Sequence, residues 1–180
     1  MPEPKLAGGP TQDEILAVSL FKLGLCPTDT VLEIGCGTGK VTVALSKLVK
    51  KVYALDIRPE AISVATGNAR QAGAANIEFA CADAMSFLKK SQVFDCAFLG
   101  GTKNMEEILP VLSGKVRRNI VINAVMVGTL DRAVETLRDL GIFTEVVQVQ
   151  VSRSHDIAGS IMFRPIDPVF IIVGRGAACS

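Results

Sequence analysis

The chain has 180 residues, a formal net charge of +1, and 49% hydrophobic against 21% charged residues. This profile suits one globular domain with one core and argues against a disordered chain. A charge so close to neutral also argues against a dedicated nucleic-acid-binding protein, which usually carries a basic excess. The five scattered cysteines form no CxxC pair, and one histidine is too few for a Cys/His zinc site. We therefore expect a single domain over residues 1–180, reduced thiols and no bound metal.

The sequence shows no signal for export or membrane insertion. The first 14 residues contain no apolar run, so they do not resemble a signal peptide. No stretch reaches the roughly 18 uninterrupted apolar residues of a membrane span. These features predict a cytoplasmic protein that does not contact a membrane.

Short apolar runs alternate with segments of helical spacing along the chain. After an N-terminal helix, the predicted strands are Val31–Gly35, Val52–Asp56, Ile77–Ala80, Phe94–Gly100, Asn119–Val125, Thr144–Ser152 and Val169–Gly174. The predicted helices are Asp13–Leu23, Lys40–Val49, Pro59–Ala72, Ala84–Lys90, Asn104–Leu112 and Thr129–Leu140. This alternation predicts an α/β fold with a doubly wound, mostly parallel sheet of seven strands. The last two strands are separated by a polar, glycine-rich loop without a helix, so we expect them to pair and one of them to be antiparallel.

The strongest functional signal is a glycine-rich turn after the first predicted strand. Glycine lacks Cβ, so the backbone can turn sharply there and a ligand can approach closely. The dinucleotide-binding fingerprint does not fit, because its third glycine would fall on Lys40. The pattern E-x-G-x-G-x-G that begins at Glu33 resembles the first motif of class I methyltransferases, whose turn holds the methionine part of S-adenosylmethionine. The candidate cofactor contacts are Gly35, Cys36, Gly37, Thr38 and Gly39; the alternative is a tight turn that binds nothing.

Acidic residues follow the next two strands. Asp56 ends the second strand, where a carboxylate can accept hydrogen bonds from both ribose hydroxyls. Asp83 and Ala84 follow the third strand, in the loop that holds adenine in class I methyltransferases. Either aspartate could instead cap the helix that follows it. Because all these positions lie at the carboxyl ends of strands, we expect one cofactor site at the switch point of the sheet.

The fourth predicted strand ends in Leu99-Gly100-Gly101-Thr102. Many methyltransferases that modify amino groups of nucleic-acid bases have an (Asp/Asn)-Pro-Pro-(Tyr/Phe) motif here. The two glycines leave room for a bulky substrate beside the methyl group, so Gly100 and Gly101 are candidate substrate contacts. An ordinary strand-to-helix turn is the alternative.

Several segments together resemble the decarboxylating cobalt-precorrin methyltransferases of cobalamin biosynthesis. They are GGPT at residues 8–11, VLEIGCGTGKVT, VYALDIRPEAI, FLGG, VINAV, RDLG and the C-terminal SIMFRPIDPVFIIVG. The resemblance implies methylation of carbon 15 of cobalt-precorrin-6B by S-adenosylmethionine, with release of CO₂ from the acetate at carbon 12. It also implies cofactor contacts by Thr11, the glycine turn, Asp56 and Ala84, with the segment 1–28 covering the cofactor. The TQDE spacing would alternatively make Thr11 a helix cap.

The substrate implied by this resemblance carries many carboxylates. The cations Lys103, Arg153 and Arg164 could pair with them or be ordinary surface charges. His155, in the predicted loop 152–168, could donate a proton after decarboxylation or be structural. An electron-rich carbon needs no strong base, so we expect positioning to supply most of the rate. With no separate substrate domain, the macrocycle must be covered by the N-terminal segment, the loop 152–168 or a neighbouring subunit. We expect a homo-oligomer, which the resemblance makes a tetramer.

Two other functions remain open from the sequence alone. An RNA or tRNA methyltransferase on the same fold would show a basic face and salt-sensitive binding. A non-catalytic binding subunit would show decay of the cofactor turn, whereas its three glycines and Asp56 are all present.

Overall fold

The structure is a computed structural model that describes residues 9–178. Its helices are α1 (Asp13–Leu23), α2 (Lys40–Ser46), α3 (Pro59–Gln71), α4 (Ala84–Leu88), α5 (Met105–Ser113) and α6 (Val127–Asp139). Its strands are β1 (Thr30–Ile34), β2 (Lys51–Asp56), β3 (Ile77–Cys81), β4 (Cys96–Leu99), β5 (Asn119–Ala124), β6 (Phe143–Val149), β7 (Ser152–Ile157), β8 (Ser160–Pro165) and β9 (Val169–Arg175). Gly8 of the GGPT segment and Cys179 lie outside the described residues.

Seven strands form the main sheet, in the order β3-β2-β1-β4-β5-β9-β6. The strands β1 to β5 pair in parallel, whereas β9 is antiparallel to both of its neighbours, β5 and β6. The predicted α/β fold with one antiparallel strand is therefore confirmed. Because the order reverses between β1 and β4, the loops after these two strands diverge and leave a crevice at the carboxyl end of the sheet.

Helices cover both faces of the sheet, which explains why its strands read as continuous apolar runs. On one face α4, α5 and α6 bury Leu88, Leu109 and Leu137. On the other face α1 and α2 bury Leu23 and Leu45. None of the helices within residues 9–178 is long and apolar enough to cross a bilayer.

The connection between β6 and β9 corrects the sequence analysis, which expected a loop there. It contains a hairpin of β7 and β8, which pair with each other in a separate two-stranded sheet. Ala158 and Gly159 at its tip both have positive φ, 49° and 79°, as a two-residue type I′ turn requires. The hairpin was missed because its strands are mainly exposed and lack a buried apolar face. His155 therefore lies on a strand.

Candidate functional site

The three glycines of the turn after β1 all adopt positive φ, between 54° and 81°. A Cβ on Gly35 would lie 2.5 Å from the backbone nitrogen of Gly101, and one on Gly39 would lie 2.9 Å from Cβ of Ala65. A Cβ on Gly37 would meet no atom of residues 9–178 within 4 Å. Two of the glycines thus permit close packing, a reason the sequence analysis did not anticipate, and Gly37 faces open space.

Asp56 ends β2 and points back to this turn, with only 3% of its side chain exposed. Its Oδ2 accepts a 3.0 Å hydrogen bond from the backbone N–H of Gly37. Arg58 donates to both carboxylate oxygens. Although burial opposes it, these hydrogen bonds hold the pKa of Asp56 below its usual value. The N-cap residue of α3 is Arg58, so the alternative that Asp56 caps this helix is wrong.

One cavity, of about 270 Å³, lies on the β2 and β3 side of the turn. We call it the Asp83 cavity. It brings together these residues from the sequence analysis: Gly35, Asp56, Asp83, Ala84, Gly100, Gly101 and Lys103. Asp83 is exposed and also caps α4, because its Oδ2 accepts a 2.9 Å bond from the N–H of Ser86. The capping interpretation of Asp83 is therefore confirmed, and Asp83 also lines the cavity.

A second cavity, of about 340 Å³, lies on the other side of the turn. We call it the Thr11 cavity. The expected contacts that line it are Thr11, Gly35, Cys36, Gly37, Thr38 and Gly100. Because α1 is preceded by Gln12 at the N-cap and has no side-chain capping bond, the capping interpretation of Thr11 is wrong. The two cavities meet at Gly35, Arg58 and Gly100, which line both.

Several lining residues were missed by the sequence analysis. Asn123 at the end of β5 lines the Thr11 cavity, and its amide exchanges hydrogen bonds of 3.1 Å with the hydroxyl of Ser19 on α1. Ile166 and Asp167, between β8 and β9, line the same cavity. A polar residue at the end of a buried strand was the available signal for Asn123, whereas Ile166 and Asp167 depend on the unpredicted hairpin.

Glu33 lies under the glycine turn and lines the Thr11 cavity. Its side chain is buried, and Oε2 accepts a 2.5 Å hydrogen bond from the hydroxyl of Thr42. Burial raises the pKa of Glu33 to about 8, and neighbouring Asp56 adds to the shift. Burial likewise raises the pKa of the Cys36 thiol, so this cysteine is a poor nucleophile.

The candidate substrate cations do not lie together. Lys103 lines the Asp83 cavity, whereas Arg153 on β7 donates a 2.7 Å hydrogen bond to Glu14 on α1 and lines neither cavity. Arg164 also lines neither cavity, and it lies opposite Arg153 in the hairpin register. Both ring nitrogens of His155 are buried, and within residues 9–178 they have no hydrogen-bond partner.

The fold and site define a class of protein. The class I methyltransferases share a sheet of this order with one antiparallel strand, a central glycine turn, and carboxylates after β2 and β3. In general, these enzymes use S-adenosylmethionine. The sequence model of the family described as the precorrin methyltransferase domain matches residues 6–174 of this chain. The chain belongs to the precorrin methyltransferase family.

Individual relatives agree with this assignment. A probable cobalt-precorrin-6B C(15)-methyltransferase (decarboxylating) of Methanosarcina acetivorans is 43% identical, covering 96% of this chain and 97% of that protein. A solved precorrin 8W decarboxylase of Methanobacterium thermoautotrophicum superposes with a TM-score of 0.89 at 31% identity, covering 92% and 91% of the two chains. A precorrin-6Y C5,15-methyltransferase of Geobacter metallireducens also gives 0.89, at 30% identity, with 95% and 93% covered.

Proposed function

We propose that this protein transfers a methyl group from S-adenosylmethionine to carbon 15 of cobalt-precorrin-6B and releases CO₂ from the acetate side chain at carbon 12, whose other carbon stays on the macrocycle. The observation that carries the proposal is the pair of cavities that meet at Gly35, Arg58 and Gly100, in a chain 43% identical to a relative of that name. The whole chain would act as one domain, with the segment 1–28 over the cofactor. A cytoplasmic location stays a prediction.

The residues present fit S-adenosylmethionine. Gly37 leaves open space where any side chain would intrude, and its N–H is fixed by Asp56. We assign the methionine part to the glycine turn and Thr11, the ribose to Asp56, and the adenine to Asp83 and Ala84. When bound, the cofactor supplies an electrophilic methyl group.

We assign the large substrate to the region around Gly100, where the two cavities meet. Gly100 lines both cavities, and Gly101 and Lys103 lie beside it. Lys103 can pair with a substrate carboxylate. Contact of Arg153 with the substrate stays a prediction, because its guanidinium already pairs with Glu14. An electron-rich tetrapyrrole carbon needs no strong base, and the macrocycle can take the electron pair left by CO₂. The chain would therefore act by binding and orienting its substrate.

The test is incubation with isotope-labelled S-adenosylmethionine and cobalt-precorrin-6B, followed by mass spectrometry of the tetrapyrrole. We expect one gained methyl group and one lost CO₂. A Gly37→Ala variant should lose roughly tenfold or more of this activity, because its methyl group would enter the cofactor space.

Gly141→Ala is the matched control. Gly141 also has positive φ, 69°, and a Cβ there would meet no atom within 4 Å in the part of the chain that the structure describes. It lines none of the cavities described. Both variants therefore place alanine at a positive φ, 54° and 69°, and only one of them changes the site. An unmodified tetrapyrrole, or label found in tRNA instead, would refute the proposed function.

A further inference from the structure

The carboxylate of Asp56 is fully occupied by protein donors. Its Oδ1 accepts from the backbone N–H and the Nε of Arg58, at 3.1 and 3.0 Å. Its Oδ2 accepts from the N–H of Gly37 and the Nη2 of Arg58, both at 3.0 Å. A carboxylate offers about four lone-pair positions, so these four hydrogen bonds leave none for a ligand.

The four donors differ in how easily they can be replaced. Two are backbone N–H groups, which the glycine turn and the start of α3 hold in place. The other two belong to the Arg58 guanidinium, whose side chain is 35% exposed and lines both cavities. A movement of this side chain alone would free one acceptor position on each carboxylate oxygen. A vicinal diol needs that number and arrangement of acceptors.

We propose that Arg58 is a positioning residue that competes with the ribose hydroxyls of the cofactor for Asp56. This inference rests on the proposed function, because it takes the ribose to bind at Asp56. When the cofactor enters, its two hydroxyls replace the two guanidinium donors, and when the product leaves, the guanidinium returns. Cofactor affinity is then set by the difference between two pairs of charge-assisted hydrogen bonds, and product release does not leave two acceptor positions of a buried carboxylate empty.

The competition has a measurable signature in how much the diol contributes to binding. In the wild-type protein, a ligand without the diol leaves the Asp56–Arg58 pair intact, so its loss of affinity should be small. In an Arg58→Met variant the carboxylate has no competing side-chain donor, so the diol should matter much more. A side chain with a merely structural role would not change the contribution of the diol.

The experiment is calorimetric titration with S-adenosylhomocysteine and with its 2′,3′-dideoxy analogue. We expect removal of the diol to weaken wild-type binding less than about threefold and R58M binding roughly 30-fold or more. We also expect R58M to bind S-adenosylhomocysteine roughly tenfold more tightly than the wild type. Arg58→Lys keeps the cation without the two-pronged geometry, so it should fall between the two, and it provides a second test if R58M does not fold.

Arg117→Met is the matched control. Arg117 also pairs with an aspartate, Asp95, at 3.2 Å, but it lines none of the cavities described. It should show the wild-type dependence on the diol. An equal effect of the diol in wild type, R58M and R58K would overturn the inference and leave the proposed function standing. Failure of every form to bind S-adenosylhomocysteine would overturn the proposed function and the inference together.

Discussion

Glu33 places a titratable group directly beneath the glycine turn. Its side chain is buried with one hydroxyl donor, from Thr42, so its ionised form is poorly solvated. With a pKa of about 8, raised by burial, the carboxyl group holds its proton at neutral pH. Entry of a cationic cofactor beside it should favour the ionised form, so cofactor binding should strengthen as the pH rises toward this value.

Stability should respond to pH in the opposite direction. Because the folded-state pKa of Glu33 lies above its ordinary value of 4.5, the folded state binds the proton more tightly than the unfolded state. The stability that Glu33 contributes is fully present below about pH 4.5 and is lost as the pH rises toward about 8. Glu33→Gln should remove this loss, which is on the order of a few kcal/mol, in urea unfolding measured at pH 5 and pH 8.

Glu78→Gln, at a side chain that is 56% exposed, is the matched control for Glu33. It should leave the pH dependence of the unfolding free energy as in the wild type. Parallel pH profiles for E33Q and the wild type would contradict this account of Glu33.

The residues that sequence reasoning found at the site are those with a local pattern. The glycine spacing and the aspartate at the end of an apolar strand can be recognised without knowing any distance. Arg58 could not be identified in this way, because its role follows from a side chain turning back onto Asp56. The pKa of Glu33 likewise depends on packing from α2, which no spacing in the sequence reveals.

At the scale of elements, the β7–β8 hairpin presents an apolar surface outside the main sheet. The register places Ile161 and Phe163 on one face of the hairpin, and each is 68% exposed. Arg153, on the opposite face, pairs with Glu14 of α1. An isolated two-stranded hairpin is marginally stable in water, so a neighbouring surface would stabilise it. We propose that a second copy of the chain covers this face in the expected homo-oligomer.

Replacing Ile161 and Phe163 with serine should reduce the oligomer to a smaller species, because it removes the apolar surface that the second copy would bury. Light scattering at working concentration measures the mass. Phe21→Ser is the matched control, since Phe21 on α1 is 80% exposed and lies outside the hairpin. A wild-type monomer would refute the oligomer, and an equal drop in mass with F21S would refute the hairpin as its interface.

Sequence periodicity predicted every element whose side chains enter the core. The bounds of α1 were predicted as observed, and those of the core strands differ by a few residues at their ends. The strands β7 and β8 give no such signal, because neither buries a residue. A sequence shows an apolar pattern only where its side chains are buried against the core. A hairpin that projects from the core therefore cannot be recognised from this pattern.

At the scale of the molecule, the strand order explains why one end of the sheet carries the site. The loops after β1 and β4 diverge from adjacent strands, and Gly35 and Gly101 let them approach closely at their base. The two cavities lie on either side of this contact. A cofactor and a substrate could thus meet at Gly100, without a second domain to bring them together.

The most direct test is a crystal structure of the protein with S-adenosylhomocysteine. The account predicts the adenine beside Asp83 and Ala84, the ribose hydroxyls on Asp56 with the Arg58 guanidinium displaced, and the amino-acid part along the glycine turn. A ligand bound outside the two cavities would contradict the account, and so would a complex in which side chains fill both cavities.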